Sequence, residues 1–208
     1  MIIIGNGRLI TRNAAEPYYE NGAVVTENEL IKETGTTAEM RLKYPDAEFV
    51  DAKGGVIMPA FINAHTHIYS ALARGLSIAG YNPTNFYEVL DGMWWKIDRS
   101  LTRRSAYTTI IDCIKTGCTT IFDHHASFCQ IEGSLFAIAD AAKALGIRAC
   151  LCYEVSERDG EKKCDESIEE NKSFIDHCER ENDPMLKAMF GGHALFTIGD
   201  KTFEKCVK

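Results

Sequence analysis

His65 and His67 stand two residues apart at the end of the stretch Val56-Ile-Met-Pro-Ala-Phe-Ile-Asn-Ala-His-Thr-His67. If that apolar run is a strand, residues two apart share a face, and both imidazoles project side by side from its end. Two neutral imidazoles are half of the donor set of a zinc-type site. The plainer alternative is a hydrogen-bonded core pair. A metal held by such a pair, a further histidine and a carboxylate would lower the pKa of a water toward neutrality and supply a hydroxide nucleophile.

The elements that would position these residues follow from the hydrophobic pattern. Residues 1–57 read as short strands and turns: Ile2–Ile4, Arg8–Thr11, Ala23–Thr26 and Glu48–Asp51, with Gly5-Asn6-Gly7 as a turn and a short helix from Thr37 stopped by Pro45. This is a partial β-sandwich subdomain that wants more strands. Residues 58–208 switch to strand–helix alternation. Strands are expected up to His65, at Cys118–Asp123, Ile147–Tyr153 and Leu186–Phe190. Helices are expected near 103–116, closed by Gly117, near 133–145, closed by Gly146, and from Ser167, with Ser167 and Glu170 as a capping box. Four βα units in series imply a parallel sheet. A (β/α)8 barrel takes ~250 residues, and about 150 follow residue 57, so the reading is an α/β barrel of TIM type truncated to about four units. An open four-unit sheet is the alternative.

Each expected strand ends in polar residues: His65 and His67, then Asp123-His-His125, then Tyr153-Glu154, then Gly191-Gly-His193. Five of the six histidines lie at these ends, and His177 is the exception, on a charged helix. Active sites of parallel barrels sit at that end. His124 and His125 alternate across a strand, so one of them faces the barrel mouth; His125 is the candidate substrate contact. Arg74 could pair with an anionic substrate group, or make a structural ion pair. Trp94 and Trp95 could line a pocket for a flat heterocycle, or pack on the barrel.

Composition limits the alternatives. The net charge is −7, with no basic stripe, which argues against nucleic acid. No apolar run reaches membrane-spanning length, and no signal peptide precedes the first strand. The eight cysteines form no C-x-x-C pair and suit reduced thiols of a cytoplasmic protein. Cys150 and Cys152 could be a soft metal pair, though small core residues are the plainer reading.

Met58-Pro-Ala-Phe-Ile-Asn-Ala-His-Thr-His67, Ala73-Arg-Gly-Leu76, Gly117-Cys-Thr-Thr-Ile-Phe-Asp123 and Gly146-Ile-Arg148 together resemble the amidohydrolase superfamily, in its deaminase and chlorohydrolase branch. Asp123-His-His-Ala-Ser127, Cys152-Tyr-Glu-Val-Ser156 and Arg158-Asp-Gly160 are most similar to the SsnA-type aminohydrolases linked to selenium metabolism. The resemblance covers the whole chain. It implies a metal-dependent hydrolase barrel with a composite β-sandwich built from both termini. It implies one divalent ion, zinc first and iron or manganese as alternatives, on His65 and His67, with His193 facing the substrate. It implies that the third histidine, the catalytic glutamate and the metal-binding aspartate belong to strands five, six and eight, beyond Lys208, so no catalytic acid or base is assigned here. The expected function is hydrolysis of a non-peptide C–N bond in a small heterocyclic or amidine-like substrate, with C–Cl cleavage as a variant. The other expectation is an inactive half that associates with a complementing C-terminal half or with its own copies.

Overall fold

The computed structural model describes all residues except 76–78, 86–87, 90–91, 93–95 and 208. Trp94 and Trp95 lie outside the described residues. The chain divides into two compact units, Met1–Ala60 and Phe61–Lys208.

The first unit is a sheet of strands β1 (Ile2–Ile10), β2 (Tyr18–Glu27), β3 (Leu30–Thr36), β4 (Glu48–Asp51) and β5 (Val56–Ile57), with helix α1 (Thr37–Lys43). β1 is central. It pairs antiparallel with β2 and parallel with β4 and β5. Ile3, Ala23, Val25 and Met40 form its core. α1 starts in a capping box, where Glu39 N–H donates to Thr36 Oγ and Thr36 N–H donates back to the Glu39 carboxylate. Gly5-Asn6-Gly7, expected as a turn, lies inside continuous β1. The register slips there, from Ile4 opposite Val24 to Gly7 opposite Gly22, and Asn6 takes φ 55°. Three residues of β1 thus oppose two of β2, which is a bulge and not a chain reversal.

The second unit is a parallel sheet: β6 (Phe61–Thr66), β7 (Cys118–His125), β8 (Arg148–Val155), β9 (Leu186–Ala188) and β10 (Gly191–Gly192). β6 pairs with β7 and β7 with β8. β9 and β10 both pair with β8, so the fourth strand comes in two pieces. Helices α2 (Arg99–Lys115), α3 (Ser134–Leu145) and α4 (Glu161–Glu181) connect the strands, and α5 (Asp200–Val207) follows. Gly117 (φ 86°) and Gly146 (φ 71°) end α2 and α3 in the left-handed region, where a Cβ is penalised. The stretch from Val56 to His67, expected as one strand, divides. Val56–Ile57 pairs with β1, and the barrel-type strand begins at Phe61.

One face of the parallel sheet packs on the helices. Ile110, Ile121, Ile138, Leu151 and Phe174 are all fully buried there, each worth about 1.5–3 kcal/mol of transfer free energy. Two polar residues of α4 are sewn into this layer. Asn171 accepts from Tyr153 N–H (2.8 Å) and donates to Tyr153 O (2.8 Å), which fixes α4 against β8. Glu170 accepts from the Gly133 and Leu135 N–H groups (2.8 and 2.9 Å) at the start of α3. This corrects the capping box expected at Ser167 and Glu170. α4 begins six residues before Ser167, whose hydroxyl donates back to Cys164 O. Glu170 caps another helix, because N–H groups at a helix start are otherwise orphaned and attract a carboxylate.

Glu170→Ala is expected to cost about 2–3 kcal/mol, because one buried and one half-buried N–H group lose their acceptor. Urea unfolding at unchanged m-value measures it; a change within error would make the cap dispensable.

Candidate metal and substrate site

The strand ends enclose a cleft of about 380 Å³, lined by His65, His67, Tyr69, His124, Cys152, Glu154 and His193 among others. The rings of His65 and His67 stand edge-on, centroids 4.9 Å apart. His67 Nδ1–H donates to His124 O at 2.9 Å. That bond fixes the tautomer and leaves the Nε2 lone pair free for an ion. The structure thus places the two rings side by side in the lining of the cleft.

A buried carboxylate holds the chain around them. Thr66 Oγ donates to Phe122 O (2.8 Å) and to Asp123 Oδ1 (3.0 Å), and Ile68 N–H donates to the same Oδ1 (2.7 Å). Asp123 thus clamps the residues on both sides of His67. Burial pushes its pKa up to about 7 against these two bonds, and Oδ2 has no partner among the described residues.

β7 presents His124, and not His125, to the cleft. Phe122 and His124 line it, whereas Ile121 sits in the helix-facing core. His125 shares the parity of Ile121. It is fully buried, with Nε2 3.0 Å from Ser127 Oγ and its ring against Tyr69 and Tyr153. The expectation that His125 contacts substrate is corrected on this ground. Burial drives the pKa of His125 down to about 3 and, with the neighbouring His67, lowers that of His124.

β8 contributes Glu154, whose side chain is 6% exposed. Arg158 Nη2 donates to its Oε1 at 2.6 Å, and its Oε2 lies 3.6 Å from His124 Nδ1. Burial raises the Glu154 pKa to about 7, while Arg158 pulls it down. His193, after β10, lines the cleft, with Nε2 3.9 Å from Glu154 Oε1. Burial, then Arg158, lowers its pKa to about 4, so it is neutral at pH 7. Arg74 is exposed and pairs with Asp112 at 3.8 Å, away from this cleft. The structural ion pair is the arrangement found.

All eight cysteines are free thiols. Cys150 and Cys152 are both buried, and burial raises Cys150 and takes Cys152 up to about 12, as for small core residues. Among the described residues, no three His, Cys, Asp or Glu side chains converge to hold an ion. His65 and His67 fit as a partial donor set, prearranged at one strand end. No described helix is long and apolar enough to cross a membrane. Sequence reasoning missed Asp123 as the clamp and Arg158 as the partner of Glu154. The cross-strand register of Thr66 with Asp123 is the signal that finds the first.

Comparison with known proteins identifies the family and the fold. Residues 56–208 match the Amidohydrolase family, and residues 22–47 match the imidazolonepropionase-like composite domain of bacteria. The 5'-deoxyadenosine deaminase of Methanosarcina barkeri is 29% identical over 208 residues, covering 98% of this chain and 45% of the relative. The 5-methylthioadenosine/S-adenosylhomocysteine deaminase of Thermococcus sibiricus is 29% identical, with 96% and 44% covered. Among solved structures, the zinc-complexed atrazine chlorohydrolase of Arthrobacter aurescens superposes with TM-score 0.77 at 21% identity, over 98% of this chain and 49% of that one. An adenosine deaminase from Xanthomonas campestris with bound zinc gives 0.74 at 20%, over 99% and 46%. These likenesses show the fold. The chain spans about half the length of the curated relatives it matches.

The buried His125 has a folded pKa of about 3 against 6.5 unfolded, so the unfolded chain binds the extra proton and stability falls as pH drops below 6.5 toward 3. His125→Gln is expected to flatten that acid limb, read by denaturant unfolding at stepped pH. An unchanged limb would contradict the assignment.

Proposed function

Because the chain belongs to the amidohydrolase family, we propose that it supplies two metal ligands and one wall of the substrate cleft of a metal-dependent aminohydrolase. The observation that carries this is His65 beside His67 at the mouth of the cleft, with His67 Nδ1–H committed to His124 O. A divalent ion bound there, zinc by the chemistry of the donors, supplies Lewis acidity and a water of lowered pKa. The chain's own residues orient and exclude. Asp123 fixes the backbone around His67, His193 and His124 line the cleft, and apolar Phe122 and Met189 border it.

The substrate class we infer is a small amino-heterocycle or amidine, hydrolysed at a C–N bond. The names of the adenosine-analogue deaminases support C–N cleavage, and the chlorohydrolase neighbours support C–Cl cleavage as a variant. The remaining metal donors and the catalytic acid–base belong, in this reading, to the part of the relatives' length that this chain does not span. The stretch Cys152-Tyr-Glu-Val-Ser156 supports the finer SsnA-type placement, and free thiols throughout support a cytoplasmic setting. A second reading is that the chain acts as a half-barrel paired with a complementing half. Phe61 and Ile62, 55% and 62% exposed on the edge strand β6, favour it.

Zinc titration of the chain is expected to show one weak site that His65→Ala or His67→Ala abolishes. Asp123→Ala should weaken it about 10–100-fold through lost positioning. Joined to the remaining barrel strands, the protein should release ammonia from 5'-deoxyadenosine or a related aminopurine, and His65→Ala should stop this. Unchanged zinc content and turnover in His65→Ala would refute the proposal.

A further inference from the structure

We infer that Glu154 and His193 form a paired acceptor that recognises the N–H groups of an amidine-type substrate, with Arg158 as the positioning residue behind it. This rests on the reading of the cleft as a C–N hydrolase site and names the group it would grip.

Glu154 differs from Glu170, the structural carboxylate of the helix layer. Glu170 spends both oxygens on backbone N–H groups. Glu154 commits Oε1 to Arg158, and its Oε2 has His124 Nδ1 at 3.6 Å, longer than a hydrogen bond. A carboxylate so deeply withdrawn from water is costly unless its oxygens are served. Glu154 lines the cleft, so a bound molecule can reach it.

Arg158 is held without help from Glu154. Its Nε and its backbone N–H both donate to Ser156 Oγ (3.0 and 3.2 Å), and its guanidinium lies 5.6 Å from the Phe128 ring centre. The guanidinium is thus a fixed post that aims the carboxylate.

His193 completes the pair. The Thr197 hydroxyl donates to the carbonyls of His193 and Ala194, so its oxygen accepts from His193 Nδ1–H at 3.3 Å. His193 Nε2 then carries a lone pair, and it sits 3.9 Å from Glu154 Oε1. The His193 Nε2 lone pair and the Glu154 carboxylate, whose Oε2 is not spent on Arg158, lie side by side in the cleft lining and call for two donors on one small group. An amidine or a ring N–H beside an exocyclic amine offers that pattern; a carboxylate or a phosphate does not.

The test uses the 208-residue chain and two isosteric probes, benzamidine and benzamide, by calorimetric titration. Benzamidine should bind about tenfold or more tightly than benzamide, as a charge-assisted bond to a carboxylate implies. Glu154→Gln should erase that preference, bringing the affinity for benzamidine down to that for benzamide. In the unsubstituted chain, the 13C resonance of the Glu154 carboxyl should shift with benzamidine, a readout that needs no variant. Equal affinities in the unsubstituted chain, a preserved preference in Glu154→Gln, or an unmoved carboxyl resonance would each overturn the inference. Zinc titration of the same samples with His65→Ala reports separately on the hydrolase reading, since that variant leaves Glu154 and His193 in place.

Discussion

The site depends on one buried carboxylate. Asp123 ends the shared stretch of β7 and takes hydrogen bonds from Thr66 and Ile68, the residues on either side of His67. Adjacent parallel strands make this possible, because the Thr66–Asp123 register places the end of one strand against the end of the next. Without such a clamp, the chain leaving β6 would be an ordinary loop, and two imidazoles on it would hold no fixed geometry. The cost of burying Asp123 appears in its pKa, raised to about 7. Such strain beneath a polar cluster is a common mark of a functional site.

The layer behind the sheet carries the same logic. Asn171 ties α4 to the backbone of Tyr153, the residue before Glu154, and Glu170 ties α4 to the start of α3. α4 is therefore indexed to β8, and α3 to α4, by polar bonds as well as by apolar packing. Hydrophobic burial is non-directional and would tolerate a sliding helix. Hydrogen bonds to named backbone groups do not, and the cleft residues inherit that precision.

Much of this was legible in the sequence. The strand–helix alternation, the glycine stops at Gly117 and Gly146, and the gathering of histidines at strand ends follow from periodicity and chemistry along the chain. What was not legible depended on the third dimension. Ile121 and Phe122 are both apolar, so the sequence does not say which of them faces the helices, and the choice between His124 and His125 hangs on that parity. The start of α4 was displaced because Ser167 and Glu170 fit a local cap, while the carboxylate had a better partner on another helix. The bulge at Gly5-Asn6-Gly7 read as a turn because glycine and asparagine serve both.

The central claim is that His65 and His67, and no thiol, are the metal donors of this chain. Zinc-edge X-ray absorption on the zinc-loaded chain tests it directly. The account predicts a first shell of nitrogen and oxygen at about 2.0–2.1 Å, with outer scattering from two imidazoles. A sulfur shell at about 2.3 Å, or scattering from fewer than two imidazoles, would contradict it.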